Sequence, residues 1–206
     1  MALKLESLVA IIVLPVFASN AGAQTNNGRS SEPRSLSPKV ETYEAVSIDA
    51  QGNLQIVTTA GRITTVAKEA KQTTLAEPFI SPDHTAVGAT GEYTNCCTSY
   101  DIPLQLIVYS DGRVHRYSGE LGLAIFDWHF VDGGRRVAFG AQTVHFGCEV
   151  HWRLVDIRTD RLVNKIAIPE PCGQIPDPKT VKVPAWVQPP AKESRRFLLA
   201  RIGEGC

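Results

Sequence analysis

The sequence predicts an all-β domain made of repeated antiparallel meanders. Three observations carry this prediction. The apolar runs are rich in β-branched residues, and a single methionine stands against 16 glycines and 13 prolines, a composition that favours strands and tight turns. Hairpin signals recur along the chain, the clearest being Asp111-Gly112 between two alternating runs, because Gly, Asn and Asp supply the positive φ angles of tight hairpins. The order of turn, aromatic and strand pair then returns after roughly 50 residues, from Asp83 to Asp132 and from Gly61 to Gly112.

The first residues read as an export signal. Lys4 precedes the apolar run Leu8–Phe17, and Ala21-Gly22-Ala23 offers a small-residue cleavage site before Gln24. This is the order of a secretory signal peptide over residues 1–23, and the run is shorter than the roughly 20 apolar residues of a bilayer span. Residues 24–39 have little apolar content apart from Leu36; too little surface is available to offset the entropy of ordering, and a disordered linker is expected. Residues 40–206 then form one domain with a substantial core. The expected location is periplasmic or extracellular, with no membrane span after cleavage.

Glu44–Ile48, Leu54–Thr59 and Ile63–Ala67 should form a meander around Asp-Ala-Gln-Gly-Asn and Ala-Gly-Arg turns. Lys68 to Glu77 reads as a polar connection. Phe79-Ile80 meets the turn Ser81-Pro82-Asp83, and a strand leaves over Thr85–Thr90. Leu104–Ser110 and Arg113–Tyr117 flank Asp111-Gly112. The order repeats with Trp128–Val131, Asp132-Gly133-Gly134 and Arg136–Phe139, followed by Val150–Ile157 and Arg161–Ile168. A looser copy, Ala185-Trp186 with Arg195–Ala200, comes after the Pro-rich insert Pro169–Pro184.

Repeats of this length, each a four-stranded meander, are the mark of propeller blades. The predicted fold is a propeller-like array of about three to four such repeats, incomplete if the ends do not pair; a β-sandwich is the alternative. An open array leaves sheet edges exposed, and a homodimer would be one way to cover them. Ile80-Ser81-Pro82-Asp83 with Thr85-Ala86-Val87, and Val131-Asp132-Gly133-Gly134-Arg135-Arg136-Val137-Ala138-Phe139, resemble the repeat signature of WD40-like (PD40) proteins of the TolB type. Val46–Val57 resembles the strand-turn-strand of NHL repeats. The resemblance implies an exported bacterial binding scaffold. His84 departs from the pattern, standing where the motif has a turn glycine.

Charge balances at 21 basic against 21 acidic residues, so no global field draws nucleic acid, and no basic patch with interleaved aromatics is present. The five cysteines are Cys96, Cys97, Cys148, Cys172 and Cys206; in an exported chain they are expected to oxidise, with one left over. Repeat register puts Asn95-Cys96-Cys97 and Phe146-Gly147-Cys148 in the same loop of successive units. That makes Cys96 or Cys97 to Cys148 one feasible pairing, and Cys148 to Cys172 another. His145, Cys148 and His151 follow no recognised zinc spacing, so no metal or other cofactor is expected. No G-x-S-x-G, H-E-x-x-H or Gly-rich phosphate loop occurs, and no residue is assigned a catalytic role.

The expectation is a non-catalytic binding or scaffold protein for an unknown protein or envelope component. The candidate contact surface is the loop pair Tyr93–Asp101 and Thr143–His151, through Tyr93, Asn95, Tyr100, His145, Phe146 and His151. A hydrolase-like or thiol-dependent envelope enzyme acting at the same loops is the alternative. Intact-mass measurement of exported material should find a chain beginning at Gln24; a full-length chain retaining Met1 in the exported fraction would sink the signal-peptide reading.

Overall fold

The computed structural model describes residues 40–96, 99–144, 149–169 and 182–188. The expected signal peptide and linker, and the cysteines Cys97, Cys148, Cys172 and Cys206, lie outside these residues. The strands are β1 (Tyr43–Ile48), β2 (Leu54–Thr58), β3 (Ile63–Val66), β4 (Gln72–Ile80), β5 (Ala86–Tyr93), β6 (Ile102–Ser110), β7 (Arg113–Ser118), β8 (Ala124–Val131), β9 (Arg136–Gln142), β10 (Glu149–Asp156) and β11 (Arg161–Pro169). Among the described residues each pairs only with its sequence neighbours, in three antiparallel sheets: β1-β2-β3, β4-β5-β6-β7 and β8-β9-β10-β11. Greek-key sandwiches exchange strands between sheets. Here every sheet is an uninterrupted meander. Among the described residues the fold is an open, propeller-like array of three sheets, the first of which has one strand fewer than the others.

The turns explain the meanders. Asp111 (φ 50°) and Gly112 (φ 72°) are both left-handed, which twists the β6–β7 hairpin in the sense of its strands. One expectation fails. Lys68 to Glu77 is not simply a polar connection, because β4 begins at Gln72 and the Gln72 side chain is buried. Thr73 and Thr74 are β-branched and suit a strand. Glu77 (φ 50°), just before Pro78, sits in a bulge between Ala76 and Phe79 that lets the strand continue past the proline.

Side chains alternate faces along a strand, and the middle sheet uses both. Ala86, Leu106 and Val108 point into a core shared with β8–β11, where they meet Ile125, Trp128, Phe130, Val137 and Phe139. Val87, Ala89, Ile107 and Tyr109 point the other way, into a core with Tyr43, Leu54, Ile56 and Leu75. Burial of a Leu, Ile or Phe side chain stabilises the fold by about 1.5–3 kcal/mol, so these two interfaces hold the array together. The far face of β8–β11 is covered too. Trp152, Leu154 and Ala138 pack with Val187 and, partly, Trp186 and Val183. Ala185–Val187 is a short 3-10 turn rather than the start of another strand pair; the proline at 184 sets its entry and the segment caps the sheet.

The turn Ser81–His84 sits where all three sheets meet. Ser81 Oγ donates to Asp83 Oδ1 at 2.7 Å and accepts from Ala86 N at 2.9 Å. Asp83 N donates to Gly133 O in the β8–β9 turn at 3.2 Å. His84 is left-handed at φ 62°, an unfavourable state for a residue with a Cβ. It is held there by β1: Tyr43 N donates to His84 O at 2.8 Å, and the His84 Nδ1–H donates to Tyr43 O at 2.8 Å. The residue that departs from the repeat signature therefore ties the first sheet to the second.

Gly88 lets the ring of Trp128 lie flush on β5. A Cβ at this position would stand 2.5 Å from Trp128 Cη2, closer than van der Waals contact permits. Gly88→Ala should lose about 1–3 kcal/mol of stability in urea unfolding, and an unchanged midpoint would show that this interface is not close-packed.

Candidate functional site

The connection between β5 and β6 is anchored at its base. Gln72 Nε2 donates to Tyr93 Oη at 3.1 Å and to Gln105 Oε1 at 2.9 Å. Thr73 Oγ1 donates to Asp101 Oδ2 at 2.7 Å. These bonds fix both ends of the loop to β4. Glu92, the next-to-last residue of β5, is half-buried and accepts from Thr90 Oγ1 at 2.8 Å. Burial raises its carboxyl above the usual range, and Glu77 and Asp101 add to that rise while the Thr90 bond opposes it.

On this base the loop presents its polar and aromatic residues. Tyr100 is 55% exposed. Cys96 is exposed and Asn95 half-buried. The equivalent connection, between β9 and β10, is the matching second-to-third-strand loop of the next sheet. Of its candidates His145 and Phe146 lie outside the described residues. His151 stands on β10 opposite Ala141 and Ala167, half-exposed, with Nε2 3.8 Å from Glu149 Oε2. Its neighbour Trp152 takes the inward face. Thus Tyr93, Asn95, Cys96 and Tyr100 share one loop or its base, while His151 belongs to another sheet. Among the described residues no group of three His, Cys, Asp or Glu side chains is placed to hold a metal ion, and no helix is long and apolar enough to cross a membrane.

A second polar cluster escaped the sequence. His115 is 8% exposed, and its Nδ1 lies 2.8 Å from Asp160 Oδ1. Tyr117 Oη donates to the same oxygen at 2.8 Å. Burial raises the Tyr117 phenol strongly, and its bond to Asp160 raises it further. Tyr117 stacks between His115 and Phe139, with ring centroids 6.4 and 6.1 Å away. Arg113, His115 and Tyr117 alternate along β7 and so share a face, a signal visible in the sequence. Their carboxylate comes from the β10–β11 turn, which only the fold brings near. Ser110, Asp111, Arg113, His115 and Arg158 line a cleft of ≈ 260 Å³ beside this cluster.

No family model matches the chain, and no curated protein matches it. Among solved structures, hydrazine synthase of Kuenenia stuttgartiensis is similar over 60% of this chain and 34% of its own, with 14% identity and a TM-score of 0.37. An enzyme described as a putative 6-phosphogluconolactonase from Bacteroides fragilis is similar over 62% of this chain and 39% of its own, with 13% identity and a TM-score of 0.37. This chain therefore spans well under half the length of either.

His129 generates a pH prediction. Its ring is buried against Trp152, with centroids 5.9 Å apart. Nε2 lies 3.0 Å from Trp186 O; a carbonyl only accepts, so Nε2 carries the proton. Nδ1 is then bare, and it has no hydrogen-bond partner among the described residues. Burial lowers this histidine below its usual range, against the opposing effects of the Trp186 carbonyl and Asp127. The fold prefers the neutral ring. Its stabilising effect is present above the unfolded value of about 6.5 and is lost as pH falls from there toward the lower folded value. His129→Gln keeps an amide donor for Trp186 O and should unfold with a smaller stability difference between about pH 7.5 and pH 5.5 than the wild type. Equal differences in the two proteins would remove His129 as the source.

Proposed function

We propose that this chain is an exported, non-catalytic binding or scaffold protein, related to the WD40-like PD40 repeats that its turns resemble, and that the loop between β5 and β6 is its contact surface. One observation carries the reading: the loop's base is fixed by Gln72, Thr73, Tyr93, Gln105 and Asp101, while its far side exposes Tyr100. Loops held on rigid sheets are the usual carriers of recognition. An exposed tyrosine presents a large contact area at little entropic cost. The β9–β10 loop, with His145, Phe146 and His151, extends this surface in the proposal. A disulfide joining Cys96 or Cys97 to Cys148 would brace the two loops and contribute about 2–4 kcal/mol.

The partner is expected to be a protein or envelope component met outside the cytoplasm. Site-specific photo-crosslinking in the native host tests this. A crosslinker at position 100 should give a discrete adduct on the exported protein, and one at exposed Leu162 of β11 should give none. Equal labelling at both positions, or no adduct at position 100, would overturn the assignment of the loop.

A further inference from the structure

The cleft beside His115 lies at the opposite end of the middle sheet from the loop just described. β6 runs from Ile102, next to that loop, to Ser110, which lines the cleft; nine residues of strand separate the two by roughly 30 Å. Its walls come from two sheets. Ser110, Asp111, Arg113 and His115 belong to the β6–β7 hairpin, and Arg158 to the β10–β11 turn.

We infer that this cleft binds the anionic oxygen group of a small polar molecule, a phosphate or a carboxylate. Two guanidinium groups line one hollow, and among the described residues neither Arg113 nor Arg158 has an ion-pair partner. Of the other described arginines, Arg62, Arg116, Arg135, Arg136 and Arg153 are engaged with Glu41, Glu69, Asp156, Asp132 and Glu120, while Arg161 at the start of β11 has no ion-pair partner either but does not line the cleft. Guanidinium groups match phosphate and carboxylate oxygens through paired N–H donors. The floor is prepared as well. Asp160 holds His115 by Nδ1 and shares its oxygen with Tyr117, so the imidazole cannot swing away from the cleft wall. Ser110 Oγ donates to Thr85 O at 3.3 Å, which fixes that hydroxyl beside the opening. Asp111 is the acidic lining residue. It suits a hydroxyl or ammonium group on the same molecule, which makes the expected ligand polar at both ends rather than a bare anion. Occupancy would bridge the second and third sheets through Arg113 and Arg158.

Isothermal titration of the full chain with inorganic phosphate and with acetate, each at ionic strength matched by chloride, tests the inference. Saturable binding of one of them is expected, and the one that saturates identifies the group. Arg113→Gln and Arg158→Gln should each weaken it about tenfold, the loss expected for one charge-assisted hydrogen bond. Lys165→Gln, an exposed cation elsewhere on β11, should leave it unchanged. Both arginines are on the surface, and circular dichroism in chloride checks that the variants fold. The inference fails if neither anion saturates, or if all three variants bind as the wild type does.

Discussion

The array depends on one four-residue turn. Ser81–His84 is hydrogen-bonded to β1 through His84, to β5 through Ser81, and to the β8–β9 turn through the Asp83 amide. The hydrophobic effect that packs the apolar faces has no direction, and by itself it leaves the sheets some freedom of register. Directional bonds at a shared corner remove that freedom. Asp83 also serves as an internal acceptor. Burial works to raise its carboxyl, but donation from Ser81 Oγ and from Thr85 N and Oγ1 prevails and holds it below the usual range. A residue ionised across the neutral range is thereby kept in the middle of the junction. Gly134 completes the fit, since any Cβ there would run into the Asp83 carboxylate and the Ser81 hydroxyl.

Around this corner the middle sheet is constrained on both faces. β5 reads Ala86-Val87-Gly88-Ala89, with each residue buried. Small side chains are what two flanking cores allow: Trp128 and Phe130 crowd one face, while Tyr109 and Tyr43 meet across the other at 5.7 Å between centroids. Tyr43 shows what this close fit costs. Its hydroxyl is buried without a hydrogen-bond partner among the described residues. Burial, with smaller effects from Tyr109, Glu41 and Asp111, pushes the phenol up to about 12.

Features set by local chemistry were legible in the sequence. Asp111-Gly112 and Asp132-Gly133 marked turns because only a few residue types accept left-handed φ. The alternating runs around them located the strands, and the repeat order gave the three meanders. Long-range features were not legible. β4 looked polar because Gln72 is buried by partners at Tyr93 and Gln105, far along the chain. His115 and Asp160 are brought together from separate hairpins by sheet packing. Trp186 looked like the start of another strand because its ring matched Trp128 in kind, yet its backbone caps a sheet face and accepts from His129. The Tyr93–Asp101 loop was recognisable from its length, whereas the bonds that anchor it required the fold.

The uninterrupted meanders also govern how the chain reaches this state. Every described strand pairs with the one made just before or just after it, so each sheet closes through connections local in sequence, with little entropy lost in bringing distant segments together. Low contact order of this kind goes with rapid folding. Each sheet is a local unit that assembles from its own residues, and the corner at Ser81–His84 needs all three before its bonds are satisfied. Sheet-by-sheet folding followed by docking is the order this connectivity favours, with the corner as a late step in the formation of the native state.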